Sequence, residues 1–473
     1  MTLYQELADK ITRHIERGVY PVGGRLPGVR RLGQQFGVSV STVVQALRQL
    51  ENAGLVEARP RSGYYVNQLP AQRPDPPGIS HTDLKPAPVT GQALVLQLAR
   101  LANRADYVQL GAAVPDAAFM PLRSFARSLG KVARGFGQRE SNYTFPPGLP
   151  ELQQQVARRM AIAGSVVDID SILITNGCQE ALSLALQTVA QPGDVIAIES
   201  PTFYGLLQVI EALGMKALEI PTDPQQGISL GALELALERW PVKACVLTAN
   251  FGNPLGGVMP DARKARLVEL TRQHGIVLIE DDIYGDLGFS GERPCSLHSL
   301  ADPLDGHVIY CSSFSKTVSQ GLRVGWMVLP QRYFQRAEYL KYISNLATPT
   351  LAQLALSEFL QNSGYERHLR QVQSRYARQV ALFTQAIGKY FPPRTKVTHP
   401  RGGFVLWVEL DGVEDTLVLS HRMLESKVII APGQIFSATQ KYRNCIRLNC
   451  AQPWTARLEK ALLELGSLCR KPV

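Results

Sequence analysis

The sequence predicts an α/β protein in two modules: a small helix-and-hairpin module at the front, then a larger one that layers helices on a mostly parallel sheet. Three observations lead there. Residues 1–66 hold three helical spacings followed by two short runs bounded by glycine and proline. Residues 67–106 carry Pro70, Pro74, Pro76, Pro77, Pro86 and Pro88 with little periodicity. Beyond them, helical segments alternate with short, continuously apolar runs, which is the pattern of strands buried on both faces.

Bulk properties exclude several classes. A chain of 473 residues with 45% hydrophobic and 19% charged side chains can bury large cores and is not disordered. No apolar run approaches the roughly 18 residues of a membrane span, and the N-terminus lacks a signal-peptide pattern. Seven scattered cysteines without a Cys-x-x-Cys pair point away from a disulfide scaffold or zinc site, and toward a reducing cytoplasm. The net charge is +10, and residues 1–66 hold nine lysines and arginines against five acids. This charge permits a polyanionic partner without demanding one, and the basic bias is concentrated at the front.

In the front module, Leu3, Leu7, Ile11 and Ile15 share one helix face, which Gly18 and Pro21 end. Pro27 suits the start of a second helix through Val29, Leu32 and Phe36, stopped by Gly37. Ser39 can cap a third helix with Val43, Val44, Leu47 and Leu50 inward. Leu55–Arg59 and Gly63–Val66 read as a β-hairpin. Two helices joined by a short turn, then a basic hairpin, describe a winged helix-turn-helix or, equally, a small helical cap domain.

The stretches Leu26-Pro27-Gly28-Val29-Arg30-Arg31-Leu32, Gly37-Val38-Ser39-Val40-Ser41-Thr42-Val43 and Leu50-Glu51-Asn52-Ala53-Gly54-Leu55-Val56 resemble the GntR-family DNA-binding domain. The resemblance implies that Arg30, Ser41, Thr42 and Arg48 face double-stranded DNA, with Arg59 and Gly63 at the wing. Gly28 stands where that family usually has serine, Val40 where it often has arginine, and Arg61 where glycine is common. Arg61 is a wing cation that would offset the loss at Val40.

The proline-bearing stretch from Asn67 to Asp106 reads as a semi-extended linker. Ala93–Ala99 within it reads as a short docking helix.

In the large module, Ser171–Thr175, Asp194–Glu199, Ala244–Thr248 and Gly275–Glu280 are the expected strands. Ligands in such folds gather at strand carboxyl ends, and the polar motifs fall there. Gly177 opens a helix after the first strand, a place where free N–H groups can hold a phosphate. Taken alone, the motif reads as readily as an ordinary turn. Phe203 and Tyr204 follow the second strand, Asn253 the third, and Asp281 and Tyr284 the fourth. Ser312-Ser313-Phe314-Ser315-Lys316-Thr317 is followed by Gly321-Leu322-Arg323. A lysine amine, a carboxylate and an arginine in that order are the parts that hold pyridoxal phosphate. Arg447, inside the apolar run Cys445–Cys450, needs an anionic partner if buried.

This order resembles the fold-type I pyridoxal-phosphate enzymes of the aspartate aminotransferase superfamily. That resemblance implies a mostly parallel central sheet over about 107–345, a small α+β subdomain over about 346–473, and pyridoxal 5'-phosphate as cofactor. It implies Lys316 as the aldimine lysine, Asp281 at the pyridine nitrogen, and Asn253 and Tyr284 at the phenolic oxygen. Gly177, Cys178, Gln179, Ser313 and Arg323 match phosphate positions. Phe203 matches the ring-stacking position, Tyr204 being the alternative one place on. Arg447 matches the grip on an amino-acid carboxylate, and Tyr143 a tyrosine reaching the neighbouring subunit. With the front module, the whole chain resembles the MocR class of regulators. That resemblance implies a homodimeric, cofactor-dependent transcriptional regulator sensing pyridoxal phosphate or an amino compound at Lys316. The alternative is a working aminotransferase with an accessory DNA-binding domain.

Overall fold

Helix spacing and caps organise the front of the chain. In the computed structural model, which describes residues 3–59, 62–67, 74–102, 104–135, 137–302, 306–362 and 364–470, the first helix runs Leu3–Glu16. It buries Leu7, Ala8, Ile11 and Ile15. The second, Val29–Phe36, ends at Gly37, whose φ of 65° is the left-handed turn that glycine enters without a steric penalty. Pro27 lies one place before the Gly28 cap, not inside the helix, and Gly28 supplies no side-chain cap. The third helix, Val40–Asn52, starts where the Ser39 hydroxyl accepts the Thr42 N–H at 3.1 Å. Strands Val56–Arg59 and Gly63–Val66 pair antiparallel, and Arg25 bridges to Tyr65 as a third rung. All of these elements close on one core that includes Ile11, Leu32, Val43, Leu47 and Val66. Arg61 lies outside the described residues.

The large sheet has the order Ala87–Pro88, Lys216–Asp223, Val195–Ser200, Val242–Leu247, Val277–Asp281, Val308–Ser313, Gly325–Val328 and Ile172–Thr175. The pairs from Lys216–Asp223 through Val308–Ser313 are parallel, and Gly325–Val328 is antiparallel to both neighbours. Alternate residues serve separate cores: Ile196 and Ile198 pack on one face, Val195 and Ala197 on the other. A sheet covered on both faces explains why its strands read as apolar throughout.

A second, antiparallel sheet of Lys396–Val397, Val405–Glu409, Cys445–Asn449 and Ala431–Pro432 carries the C-terminal part. The 27-residue helix Gly364–Tyr390 runs from the core beside Phe314 to the core behind this sheet. The stretch from Pro74 is docked along the body: the Ser80 hydroxyl donates to the Ser200 carbonyl at 2.5 Å, and the Trp240 ring N–H donates to the Leu84 carbonyl at 2.9 Å. Helix Ala93–Leu101 buries Val95 in a cluster with Leu255, Trp407 and Phe436. None of the described helices is long and apolar enough to cross a membrane.

Candidate cofactor site and nucleic-acid interface

Strand Val308–Ser313 delivers its chain into a single tight turn, Phe314–Lys316, which the Ser313 hydroxyl stabilises by accepting the Ser315 N–H at 3.3 Å. Lys316 is thereby turned into the cleft, where its Nζ donates to the Ala113 carbonyl at 2.7 Å. Burial, reinforced by the Arg447 and Arg323 guanidinium groups, pushes the amine down to about 8 against the pull of Asp281. Asp281 is the last residue of its strand. Its carboxylate accepts the Cys178 thiol and the Ile283 N–H, each at 3.3 Å. Burial pushes this carboxyl up to about 6, with those two hydrogen bonds opposing.

Glycines bring the phosphate-side segments together. Gly177 has φ 88°, and a Cβ there would lie 2.6 Å from Arg323 Nη2. A Cβ on Gly325 would lie 2.6 Å from the Gly177 carbonyl carbon. Arg323, itself left-handed at φ 52°, donates to the Asn176 carbonyl at 2.8 Å. Helix Cys178–Val189 begins at this point, so its first N–H groups have no acceptor within the helix. The side chains are committed elsewhere: the Cys178 thiol goes to Asp281, and the Gln179 amide donates to the Gly205 carbonyl at 2.7 Å. Cys178 and Gln179 therefore offer their main chain to a phosphate.

The adjacent aromatics pack on each other, ring centroids 4.9 Å apart, but their other neighbours differ. The Phe203 ring packs over Gly205, beside Gln179, so it faces the phosphate turn. Tyr204 instead meets the Phe436 ring at 5.6 Å and lies near Arg447. Asn253 is buried; among the described residues neither end of its amide makes a hydrogen bond of good geometry, although the Tyr284 hydroxyl stands beside it. Tyr284 is buried against Phe404. Burial drives its phenol upward, partly offset by Arg447.

Arg447 is the most unusual group. It sits in an interior strand, opposite Trp407 and Ala431, with 0% exposure. Among the described residues its Nε, Nη1 and Nη2 make no hydrogen bond of good geometry, although the Tyr204 hydroxyl stands beside it, and the guanidinium lies 5.4 Å from the Phe436 ring centroid. Burial lowers its affinity for the proton, while the Tyr204 and Tyr284 hydroxyls act the other way. Leaving a cation so costs several kcal/mol, which a bound carboxylate would recover.

Pyridoxal phosphate fits this donor set: an amine that holds its proton less tightly than an ordinary lysine, a buried carboxyl, main-chain N–H groups with an arginine beside them, and a buried amide next to a tyrosine hydroxyl. Among the described residues no cluster of His, Cys, Asp and Glu could hold a metal. Ala113 and Tyr204 were not singled out for these contacts in the sequence. The first acts through a backbone carbonyl, which carries no residue signal. Tyr143 lies outside the cleft of its own chain, 67% exposed and stacked on Phe145 at 5.5 Å.

On the front module, Arg30, Ser41, Arg48, Arg59 and Gly63 are exposed and Thr42 is half-buried. The Ser41 and Thr42 hydroxyls each lie 2.8 Å from that of Ser39, so the cap also orients them. The Arg59 guanidinium stacks 4.3 Å over the Tyr65 ring. Gly63 has φ 111°, and a Cβ there would lie 3.2 Å from Arg25 Nε, so the wing carries a further cation, Arg25, that sequence reading missed. Val40 opens the third helix 52% exposed, where it adds no charge.

Two family models match. Residues 106–465 match aminotransferase class I and II, and residues 3–66 match the gntR family of bacterial regulatory proteins. The chain is 43% identical to the uncharacterized HTH-type transcriptional regulator YjiR of Escherichia coli, over 98% of each chain. It is 30% identical to a 2-aminoadipate transaminase of Thermus thermophilus, over 76% of this chain and 88% of that one. The solved structure of LysN, an alpha-aminoadipate aminotransferase of Thermus thermophilus complexed with N-(5'-phosphopyridoxyl)-L-leucine, superposes with TM-score 0.74 at 28% identity. That likeness covers 80% of this chain and 95% of the other.

Proposed function

We propose, for a chain that belongs to the MocR class of regulators, with its GntR-family reader joined to an aminotransferase class I and II domain, a transcriptional regulator governed by occupancy at Lys316. One observation carries the reading: an exposed basic helix-turn-helix shares a chain with a cleft whose buried Arg447 makes no ion pair among the described residues. Catalysis gives no reason for the first, and packing gives none for the second.

Bound pyridoxal phosphate supplies an electrophilic carbon and an electron-withdrawing ring. Lys316 offers an amine that loses its proton more readily than an ordinary lysine, which favours covalent attachment. The Asp281 carboxylate favours a proton on the ring nitrogen, and the Phe203 ring covers the flat face. Asn253 and the Tyr284 hydroxyl serve the phenolic oxygen. Main-chain N–H groups at Cys178 and Gln179, the Ser313 hydroxyl and Arg323 serve the phosphate, and Gly177 allows their close approach. Arg447 takes the carboxylate of an amino compound, so the sensed ligand is an α-amino acid or a close relative.

The reader binds double-stranded DNA through Arg30, Ser41, Thr42, Arg48, Arg59 and Gly63. The protein works as a cytoplasmic homodimer, in which the exposed Tyr143 reaches the cofactor phosphate of the other subunit. The exposure of Phe145 and Tyr342 beside it supports that reading. Gel shifts with DNA upstream of the protein's own gene, with and without pyridoxal phosphate, test it. Binding that is sequence-specific and cofactor-dependent is expected; sequence-indifferent binding unaffected by the cofactor would count for the aminotransferase.

A further inference from the structure

The helix Gly364–Tyr390, about 40 Å long at 1.5 Å per residue, touches both the Lys316 turn and the reader. Its first turns grip the residue after Lys316. The Tyr365 hydroxyl donates to Thr317 Oγ1 at 3.1 Å, and His368 Nε2 lies 2.7 Å from the Thr317 carbonyl. The next turns grip the other side of the cleft: Arg375 donates to the Ala118 carbonyl at 2.9 Å, and Tyr376 stacks on Phe119 at 5.3 Å. Thr317 follows Lys316, and Ala118 lies five residues beyond Ala113, on the segment whose Ala113 carbonyl accepts the Lys316 Nζ. An amine engaged with a ligand gives that bond up. The same helix thus holds both pieces that are freed to move.

Two turns further on, the helix meets the reader. Gly54, which ends the third reader helix with φ 70°, is buried against it. The Gln385 amide donates to the Gly54 carbonyl at 3.2 Å, and a Cβ on Gly54 would lie 3.2 Å from that of Ala381. Ala381 and Gln385 are one helical turn apart, so they present a single face. The Asn67 amide also donates to the Gly54 carbonyl, at 2.8 Å, tying the exit of the wing to the same point. Because α-helices resist stretching, a shift at Thr317 reaches Gln385 as a displacement of the whole helix.

We infer that the Ala381–Gln385 face of this helix is the docking surface for the reader's Gly54 corner, and that through it the state of Lys316 sets how the reader is held. The inference rests on the regulatory reading and adds the element that carries it. Gln385 and Ala381 are positioning residues: neither touches DNA or the cofactor site.

The test uses the full-length protein and double-stranded DNA selected from a random pool by the cofactor-loaded wild type. DNA affinity is measured with the cofactor stripped and restored, and the ratio of the two is the coupling, expected at about 5-fold or more by the usual range. Gln385→Ala and Ala381→Arg should bring the ratio to about one, with the visible absorption of the cofactor and the thermal melt unchanged. Tyr365→Phe, which removes the hydroxyl contact to Thr317 with little change in volume, should lower the ratio from the other end. Reciprocity supplies a second readout: DNA should alter cofactor affinity by the same factor in the wild type and not in the Gln385 variant. A wild-type ratio of one, or failure to select any DNA, overturns the regulatory reading and this inference together. A wild-type ratio well above one that all three variants retain overturns this inference alone.

Discussion

Arginines in the two modules face opposite circumstances. Arg447 is fully buried and makes no ion pair among the described residues, whereas Arg30, Arg48 and Arg59 stand in solvent. Water and salt screen the exposed set, so each costs the fold little and contributes to binding any polyanion in a salt-dependent way. Burial leaves Arg447 no such relief, so a small anion bound beside it would offset the cost. A surface of the first kind suits a long, repetitive ligand, and a site of the second kind suits a discriminating one. A regulator needs both, and here they are separated by the helix that ends against Gly54.

The comparison breaks most completely at Lys316. Lys316→Ala should abolish the visible absorption of the cofactor-loaded protein and make DNA binding indifferent to pyridoxal phosphate, while the DNA affinity of the stripped protein stays at its wild-type value. Retained colour would show that the cofactor is held elsewhere.

Arg447 gives the next largest effect, and it has two signs. Arg447→Met should weaken binding of amino-acid ligands by about 2–5 kcal/mol, the range for losing a buried charge partner, as titrated by the change in absorption. The same change should raise the stability of the ligand-free protein by about 1–3 kcal/mol, because an uncompensated buried charge is replaced by an apolar chain of similar volume. Calorimetry without ligand checks it; destabilisation would mean that Arg447 has a partner in the folded protein.

On the exposed side, Arg59→Ala should weaken DNA binding nearly uniformly across sequences and reduce the salt slope by about one. Arg30→Ala tests the same property from the second helix.

The pH dependence sharpens the contrast further. Lys316 must be neutral to attach the cofactor, and its amine is pushed down to about 8. The attachment rate should therefore rise about tenfold per pH unit below 8 and level off above it, whereas an ordinary lysine would level off near 10.4. Removing the Arg447 charge should move the plateau upward, since that guanidinium helps hold the amine down. A plateau unmoved in Arg447→Met would leave the shift to burial and Arg323.

The smallest effect concerns the reader's own stability. Gly28 caps the second helix without a side chain, so Gly28→Ser should add a few tenths of a kcal/mol, visible as a slight rise in the reader's unfolding midpoint.

Local chemistry made much of this architecture readable in advance. Ile11 and Ile15, Val43 and Leu47, and the run Val277-Leu278-Ile279 obey spacings that depend on the backbone alone. Glycines at 37 and 177 mark places where the chain must turn left-handed, again a local property. The order of Asp281, Lys316 and Arg323 along the chain is legible because a parallel sheet sends successive strand ends to one side. Boundaries near Pro27 were less so, since proline is compatible with several positions around a helix start.

The sequence by itself determined which elements form and which chemical groups the strand ends carry, because these depend on neighbours within a few residues. Only the tertiary structure decided where each group points and what it lacks. Phe203 and Tyr204 are adjacent in sequence, yet one turns to Gly205 and the other toward Arg447, because different elements pack against each. Arg447 is a cation without an ion pair among the described residues because Phe436, Trp407 and their neighbours close around it, and such surroundings cannot be written in a residue's own code. The contact between Gln385 and Gly54 spans 331 positions of sequence, and such pairings exist only once the whole chain has folded.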